Sequence, residues 1–230
     1  MEKEELIKHY NKLANQYEQD VLEDNIIVGK WIKKAVQRHI QLREKYEFRQ
    51  DKVDRVFSHY YYLKLDDKKF KLMPWQCWII KSVYGLYHID SDDRVIKHIL
   101  LTLGRGNGKT GFAASLALYH LLKEEKNNNP QVLLTATTNK QANIALNEVK
   151  RLINSSKPLK KRLYQRIYDV TIKKRSGILM SMSNTPEKLD GWSPSFNIAD
   201  EQGSFKNKKL LTVIKSGMIK RDNPIIFQIG

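Results

Sequence analysis

ILLTLGRGNGKTGFAASLALYHLL, residues 99–122, decides how the rest of the chain is read. Ile99 to Leu103 is an apolar run of the length of a buried strand. It ends in the glycine-rich turn Gly104 to Gly108, and the stretch Gly111 to Leu122 then reads as a helix apolar on most sides. A strand, a glycine-rich turn and a helix opened by Gly-Lys-Thr is the context in which backbone N–H groups and a helix N-terminus cradle phosphate. Gly106 and Gly108, either side of Asn107, let the backbone come close. Lys109 would reach the β- and γ-phosphates of a nucleotide, and the Thr110 hydroxyl would ligate Mg²⁺. The strict pattern needs glycine where Leu103 stands; here the first glycine is displaced by one, to Gly104.

Working outward, short apolar strands alternate with helices. QVLLTAT (131–137) is a strand, and Thr138 with Gln141 gives a capping-box signal for a helix running to about Ile153. Residues 168–173 and 177–183 read as two strands around Lys-Lys-Arg-Ser-Gly. Phe196 to Ala199 is a short strand ending in Asp200-Glu201, Leu210 to Ile219 is helical, and Pro224 to Gln228 is a last strand. This alternation predicts an α/β fold with a parallel sheet covered on both faces. Residues 1 to about 62 read instead as helical. Leu6, Tyr10, Leu13, Ala14, Tyr17 and Val21 recur at three- and four-residue steps, as do Val28, Trp31, Ile32, Ala35, Val36 and Ile40.

A phosphate-binding turn needs a second strand that delivers an acid to the metal and an orienter to the attacking water. Ser195-Phe-Asn-Ile-Ala-Asp-Glu supplies one, with Asp200 for the metal shell and Glu201 for the water. Asn197 is a polar residue in a strand that should be buried. Upstream, Met73-Pro-Trp-Gln76 opens a helix, and Gln76 has both the donor and the acceptor that an adenine edge requires.

The chain has 230 residues with 41 Lys+Arg against 25 Asp+Glu, a formal net charge of +16. That charge favours polyanionic partners, nucleic acid first. It is unevenly spread: between Glu148 and Arg175 there are ten Lys/Arg and two acids, and a second basic stretch runs from Lys206 to Arg221. The single cysteine, Cys77, excludes an intramolecular disulfide and a cysteine-cluster zinc site, and the six histidines lack metal-ligand spacing. No secretory leader is visible, and the longest uncharged apolar run falls well short of the ~20 residues of a membrane span. The expectation is a soluble protein of a reducing compartment.

Taken in order, LMPWQCWIIKSVYG, LTLGRGNGKTGFAASLALYHLL, LLTATTNKQANIALNEV and KLDGWSPSFNIADE resemble the large subunit of the tailed-phage terminase, the motor that pumps double-stranded DNA into a capsid. IIVGKWIKKAVQRHIQL near the start extends the likeness weakly. The resemblance implies a P-loop NTPase whose cofactors are ATP and Mg²⁺, with a helical segment at 1–68 and an ATPase core at 69–230. It implies that Gln76 contacts adenine, that Arg105 is the basic residue beside the γ-phosphate, that Lys109 and Thr110 bind phosphate and Mg²⁺, that Asp200 holds the metal shell, and that Glu201 is the catalytic carboxylate. The displaced Gly104 is similar to the variant loop of that family. The family's nuclease domain would lie beyond residue 230. Implied partners are double-stranded DNA, a terminase small subunit, a capsid portal and further copies in a ring, in the host cytoplasm and away from membranes. A neighbour's arginine would complete the site, with Arg151, Arg162, Arg166 and Arg175 as candidates. The competing readings are a nucleotide-gated scaffold without turnover, supported by Asn197, and a helicase-like remodelling ATPase.

Overall fold

The computed structural model describes residues 1–104, 106–123, 129–183, 191–200 and 209–230. Its first part holds helices α1 (Lys3–Leu22), α2 (Lys30–Lys45), α3 (Gln50–Tyr60) and α4 (Pro74–Gly85), with the two-residue strands β1 (Glu47–Phe48), β2 (Lys64–Leu65), β3 (Lys68–Lys69) and β4 (Leu86–Tyr87) between and after them. Then come β5 (His98–Leu101), α5 (Lys109–Leu122), β6 (Gln131–Ala136), α6 (Asn139–Asn154), α7 (Lys157–Arg162), β7 (Leu163–Gln165), β8 (Asp169–Ile172), β9 (Ile178–Ser183), β10 (Phe196–Asp200), α8 (Lys209–Met218) and β11 (Ile225–Ile229). The chain divides into two compact units. One comprises 1–61 and 70–96, and the other 62–69 and 97–230.

In the helical unit, α1 presents Leu6, Tyr10, Ala14 and Val21 to a core shared with α3 and α4. Tyr10 packs on Phe57 and Tyr60, while α4 contributes the buried Cys77, Trp78, Ile80 and Val83. One position on the buried stripe of α1 is not apolar. Glu18 accepts from Arg43 (3.0 Å) and Lys81 (3.3 Å) on one oxygen, and meets His39 Nδ1 (3.0 Å) and the Trp78 indole N–H (3.2 Å) on the other. Lys81 also donates to Asn15. Burial alone would raise the Glu18 carboxyl. The His39 hydrogen bond and the Lys81 charge outweigh it and hold the group down to about 2, against an ordinary value of 4.5. Helix α2 keeps only Val36 and His39 fully buried, so Trp31, expected on the apolar stripe, is 69% exposed with Lys30 and Lys34 over its ring.

The second unit is built on a seven-stranded sheet of order β5-β11-β10-β6-β9-β8-β7. The first five strands are parallel to their neighbours, and β8 and β7 close the sheet antiparallel. Alternation along the strands feeds two faces. Phe196 and Phe227 point to the α5 side, where His120 stacks on Phe196 at 4.0 Å and Phe112 meets Phe227 edge-on at 6.0 Å. Leu133 and Ile226 point to the other side, against Leu210, Ile214 and Met218 of α8. Thr138 caps α6 as its spacing predicts, its hydroxyl accepting the Gln141 N–H. Strand β7 and the short helix α7 are not foreseen by the sequence pattern, and β7 and β8 are the antiparallel part of a largely parallel sheet. Among the described residues no helix is long and apolar enough to cross a membrane.

A carboxyl held low in the fold contributes stability that is complete above its ordinary range and lost as pH falls toward the folded value. Urea unfolding should therefore show the wild type losing stability between about pH 4.5 and 2 more steeply than Glu18→Gln. At neutral pH that variant should be less stable by roughly 3 kcal/mol, because it removes the carboxylate that all four partners face and leaves the buried Lys81 charge uncompensated.

Candidate phosphate-binding site

Parallel pairing brings the sequence-predicted phosphate turn and the predicted acid to one edge of the sheet. Ile229 of β11 lies level with Leu101 of β5 on one side and with Asp200 of β10 on the other. Two interstrand steps therefore separate Leu101 from Asp200, about 10 Å at the usual spacing. The edge is the carboxyl end of the parallel strands, where open α/β sheets bind ligands.

The turn follows directly. Leu103 N–H donates to the Gly230 carbonyl (3.1 Å), tying the end of β5 to the end of β11. Gly106 (φ +82°) and Gly108 (φ +71°) are both left-handed, a backbone that side chains rarely adopt. Between them the Asn107 amide donates back to the Gly104 carbonyl (3.1 Å) and closes the turn. Gly108 is the N-cap of α5, so the unpaired N–H groups of the first helical turn follow a residue with no side chain to obstruct them. Gly104, Gly106, Asn107 and Gly108 are solvent-exposed. Lys109 Nζ reaches across the strand ends to the Leu103 carbonyl (2.5 Å) and the Gly230 carbonyl (2.9 Å). Its ammonium thus sits among backbone oxygens at the mouth of the turn.

Thr110 lies in the first turn of α5 and Asp200 is the last residue of β10. A hydroxyl and a carboxylate are hard oxygen donors, the kind that suits Mg²⁺. Gln76, the third residue of α4, belongs to the helical unit. It is buried, and its Oε1 accepts the Met73 N–H (2.9 Å), so the side-chain carbonyl serves the start of its own helix. Arg105 and Glu201 lie outside the described residues. Three of the arginines considered for a neighbour's site are engaged within the chain: Arg151 with Asp66 and Glu148, Arg166 with Asp169, and Arg175 with the Leu121 and Leu122 carbonyls that end α5.

The structure supplies a partner that sequence reasoning missed. Asn197 is fully buried, and its amide donates to Thr135 Oγ1 on β6 (3.1 Å), whose hydroxyl in turn donates to the Ile198 carbonyl (3.1 Å). The signal available was a second polar residue in the neighbouring apolar strand, Thr135, which the register places level with Ala199, two residues beyond Asn197. This pair cross-links the two strands just below Asp200.

A largely parallel sheet with helices on both faces, a left-handed glycine turn leading into a helix that starts Lys-Thr, and an acid level with that turn define a P-loop NTPase. The chain belongs to the family of terminase large subunit ATPase domains, whose sequence model matches residues 74–230. It is 26% identical over 216 residues to the terminase large subunit of Lactococcus phage p2, covering 87% of this chain and 39% of that protein. To the terminase large subunit of Enterobacteria phage HK97 it is 28% identical over 176 residues, covering 73% of this chain and 33% of that protein. The crystal structure of the HK97 bacteriophage large terminase superposes with a TM-score of 0.66 at 22% identity, over 77% of this chain and 37% of that one, which is a likeness of fold. The chain spans about two fifths of the length of the first of these relatives.

Thr135→Val leaves the buried Asn197 amide short of its nearest acceptor and should cost about 2 kcal/mol in urea unfolding. The double variant Thr135→Val/Asn197→Leu, which removes both polar groups, should recover part of that loss.

Proposed function

We propose that the chain hydrolyses ATP with Mg²⁺ as the ATPase part of a terminase large subunit, and that the hydrolysis drives double-stranded DNA into a viral procapsid. The observation that carries the reading is the register that sets Asp200 level with Leu101, two strands from the Lys109 turn. The buried Asn197, which in the sequence favoured a scaffold without turnover, has its partner in Thr135 and no longer weighs against an enzyme.

In this reading the N–H groups of the turn and of the first turn of α5 bind the phosphate oxygens, and Lys109 exchanges its carbonyl partners for the β- and γ-phosphates. Arg105 would supply positive charge at the γ-phosphate, the role the family resemblance implies for it. Thr110 and Asp200 would hold Mg²⁺, which when bound supplies positive charge that offsets the charge on the phosphoryl oxygens. Glu201 would orient the water and accept its proton as the water oxygen bonds in line to the γ-phosphorus and the bond to the β–γ bridging oxygen breaks, with ADP as the leaving group. Gln76 reads adenine through its amide. The partners proposed are duplex DNA, a small terminase subunit, the capsid portal and further copies of the chain in a ring that lends an arginine to each site, all within the host cytoplasm. The net charge of +16 supports the nucleic-acid partner.

Steady-state phosphate release with Mg-ATP tests the assignment. Glu201→Gln should lower turnover by about 10²-fold or more while retaining nucleotide, and Lys109→Ala should lose nucleotide affinity itself. Specific activity should rise with protein concentration if a neighbour completes the site. Turnover indifferent to Glu201→Gln would overturn the catalytic role.

A further inference from the structure

At the end of the sheet away from the phosphate turn, α7, β7 and β8 form a strongly basic projection. From Lys157 to Arg175 there are eight Lys/Arg and one acid, Asp169, which faces Arg166 at 4.0 Å. Leu163 pairs with Ile172 and Tyr164 with Thr171, and the Lys173 N–H donates to the Arg162 carbonyl (2.9 Å). Leu163 and Val170 turn inward and are buried. Tyr164 is exposed with Lys173 over its ring, and Lys160, Lys161 and Arg162, at the end of α7, are exposed immediately before the ladder begins.

Clustered like charges repel one another unless an anion comes between them. Cations on an edge strand can also serve to keep sheets from pairing with one another. The same edge, however, exposes Tyr164 (58%), Ile167 (77%) and Tyr168 (61%), apolar surface that would invite pairing rather than deter it. Cations interleaved with exposed aromatic and apolar groups suit a polyanion with some apolar surface. Lys173 Nζ lies 4.8 Å from the Tyr164 ring and donates to the Lys160 carbonyl (3.0 Å). One face of the Tyr164 ring is therefore held against a cation, so the cations rather than a bare stacking platform dominate this surface, which suits contact with a phosphodiester backbone.

We propose that the outer face of the α7–β7–β8 projection binds the phosphodiester backbone of duplex DNA, without reading its sequence, at a site separate from the phosphate turn. The inference rests on the reading of the chain as a DNA motor and names a surface through which it holds its substrate.

Binding of a labelled duplex of about 30 base pairs to the 230-residue chain, followed by anisotropy across a salt series, tests this. The triple variant Lys160→Gln/Lys161→Gln/Arg162→Gln should bind roughly tenfold more weakly near 100 mM salt, with a slope of log K against log[salt] shallower by about 2 to 3. A charge-matched control, Lys30→Gln/Lys34→Gln/Arg38→Gln on α2, should bind nearly as the wild type does. Equal loss in both variants would mean attraction by net charge alone and would overturn the proposal. So would unchanged duplex binding in the α7 variant, or competition by polyglutamate or by a single strand as strong as that of the duplex. Failure of the ATPase reading would appear differently, as absent phosphate release with α7-dependent duplex binding intact.

Discussion

The backbone register of three parallel strands is the constraint on which the rest of the second unit depends. With Ile229 paired between Leu101 and Asp200, neither the start of the glycine turn nor the acid can move along its strand without breaking the β5–β11 or the β10–β11 ladder. Side chains reinforce this from both faces. Phe112 and His120 of α5 lock onto the neighbouring strands β11 and β10, so the helix that carries Lys109 and Thr110 is fixed to the strand that carries Asp200. On the α8 side, the Asn197–Thr135 bond ties β10 to β6. A one-residue slip would turn Asn197 toward Phe112 and His120 and leave its amide without an acceptor.

The helical unit solves its packing in a different way. Its organising group is a carboxylate, Glu18, which gathers partners from α2 and α4 around α1. An apolar stripe alone permits helices to rotate or slide by a turn at modest cost, since packing is tolerant of hydrophobic exchange. A buried carboxylate with four fixed donors does not, because any displacement leaves a charge uncompensated. Trp31 and the lysines beside it lie outside this packing and remain on the surface of α2.

Much of this was legible in the sequence where one local rule sufficed. The strand–turn–helix at 99–122, the Thr138 cap, β10 ending in Asp200 and the apolar stripe of α1 each follow from period and turn chemistry within one short window. Three things were not legible, each because it depends on a neighbour far along the chain. The partner of Asn197 sits 62 residues earlier, in another strand. Strand β7 is only Leu163–Gln165, embedded among charges, and exists because β8 offers it a ladder. Trp31 keeps helical spacing with its apolar neighbours, but periodicity does not say how wide a stripe the adjoining helices will cover. The bond from the Met73 N–H to the Gln76 carbonyl at the start of α4 is likewise something a side-chain inventory could not reveal.

The division of the chain between its two units has a consequence for how the protein can be made and dissected. The helical unit is assembled from residues 1–61 and 70–96, and the intervening hairpin at 62–69 belongs to the other unit. During synthesis α1, α2 and α3 emerge first, yet α4, which carries Trp78 and Lys81 to Glu18, is completed only at Gly85. The first three helices must wait, with a buried carboxylate half partnered, until the ribosome has advanced some distance further. A single cut after residue 96 keeps the helical unit whole but takes the 62–69 hairpin away from the other unit. A fragment ending near residue 62 would lack α4, and one beginning there would carry α4 without the carboxylate it is built to meet.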